Sequence, residues 1–279
     1  MLFAVPLILA MLSATPSQGA SFYPVRLEDP KAVYLADAKG DGIADDTEAI
    51  QKALDKVQET TGQGILFIPE GRYRLPKTIT VWPGVRLIGY GGKRPVFLLG
   101  ANTPDYGKGE KLMLFFAGRR AKGQTAEQPT IPAELAGEDF GLPNDANPGT
   151  FYSAVSNVDI EIGPGNPAAV GVRARYAQHC YLAHMDFRLQ SGLAAIHDIG
   201  NEADDLRFFG GEYGIITRTP SPGWQFTLLD SHFEGQSKAA IRTYVCRRAS
   251  SRNRSSRVRH ILREPRIPRS RPCCFPNVL

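Results

Sequence analysis

Asp159, Asp186, Arg207 and His232 each stand one residue before an apolar anchor: Ile160, Phe187, Phe208 or Phe233. Glu161, Arg188, Phe209 and Glu234 each stand one residue after it. The anchors are 27, 21 and 25 residues apart. A second set, Val172-Arg173, Ile196-His197, Ile216-Thr217 and Ile241-Arg242, follows in step at intervals of 24, 20 and 25. If each anchor opens a new turn of a stacked chain, the strands lie about 4.8 Å apart and the flanking residues line up in rows. One row then holds Asp159, Asp186, Arg207 and His232, the next Glu161, Arg188, Phe209 and Glu234, and a third Arg173, His197, Thr217 and Arg242. Carboxylates, cations, a histidine and a ring on one face suit an extended polysaccharide, whose hydroxyls exchange hydrogen bonds and whose ring faces stack on aromatics. Asp186, Arg207, His232 and Glu234 are the candidate catalytic residues; Asp159, Glu161, Arg173, Arg188, His197 and Phe209 are the candidate substrate contacts. Paired carboxylates can act as acid and base in glycoside hydrolysis. Arginine can stabilise the carbanion of a uronate lyase. Cross-strand ion pairs among Asp186, Arg188 and Arg207 are the structural alternative.

Two ladders sharing one irregular period predict a solenoid whose coils hold two or three short strands. Gly163-Pro164-Gly165-Asn166-Pro167, Gly200-Asn201 and Pro220-Ser221-Pro222-Gly223 supply turns between them. Between Gly100 and Thr150 the pattern breaks into glycine, proline and charge around the apolar island Leu112–Phe116, which predicts a loop with one embedded strand walling a groove. Upstream, Asp45 and Glu48 fit a capping box for a helix starting near Asp46. Ala49, Ile50, Ala53, Leu54 and Val57 give that helix one apolar stripe, so it should lie over the open end of the solenoid. Asp37, Asp41, Gly42 and Glu48 also overlay an EF-hand loop, but Lys39 falls on a ligand position and excludes the ion.

The chain has 279 residues and a formal charge of +5, but the charge is uneven. Residues 244–279 carry 10 Arg and only Glu264 as an acid, giving +9 and leaving −4 for the rest, which argues against nucleic acid as a partner. The same segment holds none of the 28 glycines, and after Thr243 the ladder stops. Such a shift predicts an Arg-rich aberrant or disordered tail over 244–279, from translation in the wrong frame or, alternatively, as a basic arm for an acidic polymer, after a partial β-helix over 21–243. Residues 1–20 are uncharged, with an apolar run from Leu2 to Ala14 too short to span a bilayer and small residues Ser17, Gly19 and Ala20 behind it. This reads as a secretory signal and a secreted or periplasmic protein. Cys180 between His179 and His184 lacks the further ligands a zinc site needs. The sequence calls for no metal and no cofactor, and is silent on oligomeric state.

The segments Asp37-Ala38-Lys39-Gly40-Asp41-Gly42-Ile43-Ala44-Asp45-Asp46-Thr47-Glu48-Ala49-Ile50 and Gly62-Gln63-Gly64-Ile65-Leu66-Phe67-Ile68-Pro69-Glu70-Gly71-Arg72-Tyr73 carry a family resemblance. They resemble the opening of pectate-lyase-like proteins with a rhamnogalacturonase/epimerase-like domain, close to glycosyl hydrolase family 28-related proteins. Over roughly residues 33–243 the resemblance implies an all-β, right-handed parallel β-helix with an N-terminal capping α-helix. It further implies a hydrolase, lyase or epimerase acting on polysaccharide, or a non-catalytic relative. Asp204-Asp205 resembles the paired aspartates of family 28 polygalacturonases, although no Gly-His-Gly, Asn-Thr-Asp or Arg-Ile-Lys follows.

Overall fold

The structure, a computed structural model, describes residues 19–136, 141–218, 226–244 and 259–261. Three parallel ladders run side by side around one apolar interior. The first joins Val33–Tyr34, Gly64–Pro69, Val85–Tyr90, Ala154–Ser156, the leading halves of Tyr181–Arg188 and Asn201–Phe209, and Phe226–Leu229. The second joins Asp41–Asp45, Arg72–Arg74, Val96–Leu99, Asp159–Ile162, the trailing halves of the same two long strands, and His232–Glu234. The third joins Ile79–Val81, Glu110–Phe116, Ala169–Ala174, Ala194–Ile199, Tyr213–Arg218 and Ala239–Tyr244. This is a parallel β-helix. Each coil contributes one strand to each ladder, which explains the shared but irregular repeat: the strands stack in register and the turns vary in length.

The inward side chains stack as the anchors predict. Ile160 pairs with Phe187, Phe187 with Phe208, and Phe208 with Phe233. The phenyl rings lie nearly parallel, 5.2 Å and then 4.4 Å apart. In the third ladder the reading slips by one residue. Ile196 pairs with Ile215 and that with Ile241, so Ile216 is level with His197 and Arg242, while Thr217 pairs with Thr243. Two adjacent isoleucines carry no signal for which one faces inward, and a slip of one residue exchanges the faces. Where the chain turns from the first ladder into the second, Asn157, His184, Asp205 and Asp230 occupy equivalent places with φ of 58°, 55°, 47° and 41°. Asparagine and aspartate tolerate this left-handed conformation best.

The helix Thr47–Thr61 closes the N-terminal end, with Ile50, Leu54 and Val57 buried against the first coil. It also satisfies the strand edge it covers. The Gln51 amide donates to the Thr80 carbonyl at 3.0 Å and accepts the Thr80 N–H at 2.8 Å, which is what a neighbouring strand would do. The expected capping box is absent. Asp46 holds the N-cap position without a side-chain cap bond, and its carboxylate instead accepts the amides of Lys39 and Gly40. Glu48 pairs with Lys52, Asp45 accepts the Thr47 amide, and Asp41 accepts those of Ile43 and Ala44. Tight acidic turns ahead of the helix use up the carboxylates that a capping box needs.

Leu112–Phe116 is not a strand embedded in a loop. It lies within Glu110–Phe116, a regular member of the third ladder and wholly buried. The excursion begins after it, at residue 117, and lies along the outside of the third ladder. Thr130–Ile131 pairs antiparallel with Glu110–Phe116 there, and Ala117 bridges to Asp145. Of the two ends assigned from composition, 1–18 lies outside the described residues. Of 244–279 only Tyr244 and Arg259–Ile261 are described, the latter a strand antiparallel to Ala239–Tyr244. No helix among the described residues is long and apolar enough to cross a membrane.

Candidate functional site

The second ladder brings the expected rows together. Asp186, Arg207 and His232 are level on successive coils, as are Glu161, Arg188, Phe209 and Glu234. Asp159 joins the first row, accepting the Asp186 amide at 2.8 Å. The expectation of an open row fails at its inner end, where Asp159 and Asp186 are fully buried. Asp186 Oδ1 accepts from Arg94 Nη2 at 2.6 Å and Arg207 Nε at 2.7 Å. Its Oδ2 accepts from Arg188 Nη2 at 2.7 Å, Arg207 Nη2 at 2.8 Å and the Gly19 amide at 3.2 Å. Arg94 Nε lies 3.1 Å from Asp159 as well. A carboxylate taken out of water is destabilising by several kcal/mol unless paired, and three guanidiniums gather here for that reason.

Residues 19–23 lie across this cluster. A Cβ on Gly19 would come 1.8 Å from Arg94 Nη2 and 2.1 Å from Arg207 Nη2, so only glycine fits beside the ion pairs. The Phe22 amide donates to Asn157 at 2.7 Å and the Phe22 ring stacks on His184 at 3.9 Å. The outer end of the rows is different. His232 and Glu234 side chains are 57% and 65% exposed, with His232 Nε2 3.2 Å from Glu234 Oε2. Phe209 lies between them and Arg188, whose guanidinium is 5.6 Å from the ring centre, and the imidazole of His232 is 6.0 Å away on the other side. Glu161, at the inner end of the second row, accepts from Arg72 Nη2 at 2.6 Å, and that bond raises the Arg72 pKa.

On the third ladder Arg173 and His197 are fully buried rather than open to a sugar: Asp145 of the excursion meets Arg173, and Glu110 of the same ladder meets His197. Arg173 Nη2 lies 2.7 Å from Asp145 Oδ2 and 3.3 Å from Asp198 Oδ2, so the two carboxylate oxygens are no more than 6.0 Å apart. Arg175 reaches both from the rim. Burial pulls the Arg173 pKa down, but Asp145, Asp198 and Glu110 outweigh it and the net direction is up. His197 Nδ1 contacts Glu110 Oε1 at 2.5 Å. Thr217 stands outside this row, and Ile216 takes its place.

Sequence reasoning missed Arg94, Glu110, Asp145 and Arg175. Arg94 lies two residues ahead of its strand, before Pro95, and Asp145 belongs to an excursion with no period, so neither falls on a ladder. Arg175, just beyond the end of Ala169–Ala174, did carry a signal: it is two residues from Arg173, the spacing that returns a side chain to the same face. Asp204-Asp205 lies on the first ladder and the turn after it, where Asp205 contacts His184 Nδ1 at 3.0 Å. Cys180 is a buried thiol against the Thr150 carbonyl, with its pKa pushed up to about 11 by burial. Among the described residues, no group of three or more His, Cys, Asp or Glu is placed to hold a metal ion.

Comparison with known proteins matches this geometry to a family. A stretch of 54 residues is 43% identical to a glucan 1,3-β-glucosidase of Cochliobolus carbonum, covering 19% of this chain and 7% of that protein. The chain therefore spans only a small part of the curated relative it matches. Among solved structures, a putative glycosyl hydrolase from Parabacteroides merdae superposes with a TM-score of 0.36 at 14% identity, over 73% of this chain and 96% of the other. The catalytic unit of an α-1,3-glucanase from Streptomyces thermodiastaticus superposes with a TM-score of 0.35 at 16% identity, over 80% and 44%. Residues 33–253 match the family described as rhamnogalacturonase A/epimerase, pectate lyase-like, and with a match over most of its length the chain belongs to that family.

Proposed function

We propose that this chain is the β-helical part of a secreted enzyme that cleaves a polysaccharide lying along the outer rows of the second ladder. The observation that carries this reading is the run Arg188, Phe209 and Glu234 beside Arg207 and His232. It provides a cation, a ring and an acid–histidine pair on three successive coils, ending in open solvent. Coils repeat at about 4.8 Å, close to the length of one sugar residue in an extended chain. Asp159 and Asp186 act from beneath, fixing the guanidiniums of Arg94, Arg188 and Arg207 as a positively charged floor.

Geometry separates two chemistries. Glu161 and Glu234 are three coils apart, roughly 14 Å along the backbone, beyond the 6.5–9.5 Å that two hydrolytic carboxylates need. On this face His232 as base, with Arg207 beside the developing negative charge, suits elimination from a uronate. The second reading is glycoside hydrolysis at the third ladder. There Asp145 and Asp198 are within 6.0 Å of each other, although both are buried against Arg173; similarity of 54 residues to a glucan 1,3-β-glucosidase favours hydrolysis without placing it.

The test is incubation with polygalacturonate, alginate, rhamnogalacturonan and β-1,3-glucan, following new reducing ends and the ultraviolet absorbance of an unsaturated product. Cleavage that disappears in His232→Ala and Glu234→Ala supports the second-ladder site. Cleavage lost only in Asp145→Asn or Asp198→Asn moves the site to the third ladder. Binding without any new reducing ends leaves a non-catalytic polysaccharide-binding β-helix.

A further inference from the structure

A cavity of about 420 Å³ opens where the C-terminal end of the helix Thr47–Thr61 meets the turn at Pro83-Gly84 and the last residues of the excursion. It is lined by Thr61, Gly62, Gln63, Pro83, Gly84, Gly149, Phe151 and Tyr152. It is shallow and widely open to solvent rather than enclosed, a shape that suits a sugar resting on a surface more than a ligand buried in a pocket. None of its lining side chains is charged, in contrast to the arginine-rich rows of the second ladder.

Two further features mark this place. Phe151 and Tyr152 are 37% and 42% exposed, a pair of neighbouring rings 6.3 Å apart in the open. Tyr152 also has φ of +60°, a left-handed conformation that bulky residues rarely adopt and that recurs at ligand sites. The strain is held by a column of flat groups on successive coils. Arg86 lies 5.8 Å from the Tyr152 ring, and His179, itself at φ +61°, stacks on that ring at 5.1 Å and 10°. The column fixes the Tyr152 ring at the cavity mouth. Gly62 and Gly84, both at positive φ, thin the wall that Gln63 and Pro83 form, and a Cβ on Gly84 would come 2.7 Å from Gln63.

We propose that this cavity binds one neutral pyranose residue of a polysaccharide, apart from the charged face assigned to cleavage. The apolar face of the sugar rests on Phe151 and Pro83, and its hydroxyls meet the Gln63 amide, the Tyr152 hydroxyl and the glycine backbone. No charged side chain lines the site, the nearest cation being Arg86 behind the Tyr152 ring, so a neutral sugar should bind more tightly than a carboxylated one. The proposal rests on the reading of the chain as polysaccharide-active only for the source of its ligand. The cavity, rings and strain stand without it.

The experiment is calorimetric titration of the full chain with laminarihexaose, cellohexaose, xylohexaose and mannohexaose, with hexagalacturonate as the charged comparison, each to about 5 mM so that millimolar affinity is seen. Wild type should bind at least one neutral hexasaccharide, and more tightly than hexagalacturonate. Phe151→Ala and Gln63→Ala should each weaken that binding about tenfold or more, while Tyr152→Phe, which keeps the ring, loses less than Tyr152→Ala. No binding of any neutral hexasaccharide overturns the proposal, as does binding unchanged in Phe151→Ala and Tyr152→Ala variants that retain the wild-type melting temperature. Repeating the titration on His232→Ala separates the two claims. Neutral-sugar binding that persists where cleavage was never seen refutes only the enzymatic reading, and cleavage without neutral-sugar binding refutes only this one.

Discussion

Replacing Asp186 with Ala should unfold the protein more readily than its place in an outward row implies. As a solvated surface pair, Asp186 would contribute no more than about 1 kcal/mol. It is instead fully buried, and its carboxylate is the shared partner of Arg94, Arg188 and Arg207, whose side chains are 2%, 17% and 29% exposed. Removing it leaves Asp159 as the remaining carboxylate of the cluster and strands the guanidinium of Arg94 without its shortest contact. Breaking a buried pair from one side costs about 3–5 kcal/mol, because the orphaned charge keeps its desolvation penalty. For a domain of this size that lowers the melting temperature by roughly 6–20 °C.

Urea unfolding of wild type, Asp186→Ala, Asp186→Asn and Arg207→Ala decides the matter, provided the slope with denaturant stays constant. Arg207 is partly solvated and its loss leaves Asp186 with two cations, so it should cost about 1 kcal/mol. The expected order is Asp186→Ala largest, Asp186→Asn close behind because it keeps shape and loses charge, and Arg207→Ala smallest. A loss below about 1 kcal/mol for Asp186→Ala would refute the buried-cluster argument and return the residue to an open row.

Phe208→Ala should destabilise by about 3–5 kcal/mol in the same assay, since it removes the middle ring of the Phe187–Phe208–Phe233 stack. Gln51→Ala should lower stability by about 1–3 kcal/mol by leaving the buried Thr80 N–H and carbonyl without their partner, visible as faster hydrogen exchange at that amide. Asp46→Ala should destabilise more than Asp45→Ala, because the Asp46 carboxylate takes two backbone amides and is buried; equal effects in thermal melts would restore the capping-box reading. The Cys180 thiol has its pKa raised from 9.0 to about 11 by burial. The unfolded chain therefore releases this proton first, and stability falls by about 2 kcal/mol as pH rises from 9 to 11, towards a limiting total loss of about 2.7 kcal/mol at higher pH. Cys180→Ala should flatten that fall below pH 10, where the raised Tyr73 and Tyr106 hydroxyls do not yet contribute.

The ladder built on Ile160, Phe187, Phe208 and Phe233 was legible because Ile160, Phe187 and Phe233 each have polar neighbours on both sides and so a single inward candidate, which sets the register at Phe208 beside Phe209. At Ile215-Ile216 two equal candidates adjoin, and the sequence gives no way to choose the inward one. The helix was legible from its stripe, although its cap was not. Asp45, Asp46 and Glu48 are all competent caps, and the choice among them depends on where the Lys39 and Gly40 amides come to rest. The exposed His232–Glu234 pair was found because both residues flank an anchor. Burial of Asp186 was invisible because its shortest partner is Arg94, which flanks no anchor.

This difference orders the candidate residues by what they can do. A repeat read from sequence reports which side chains share a row, since register is set by the anchors; it does not report what lies over the row. Here the covering pieces are both non-repeating: residues 19–23 on the second ladder and the excursion from residue 117 on the third. Each lies over an ion cluster of two aspartates with two or three arginines, and each cluster joins strand residues to a partner outside the ladder rows. The same charges that looked like a substrate groove therefore fix the coverings to the solenoid. Among the described residues of the second ladder's rows, His232, Glu234 and Phe209 are more open than Asp159 and Asp186, and they are the ones proposed to meet a sugar. Mutations within the clusters should act first on stability, and mutations at the uncovered end first on turnover.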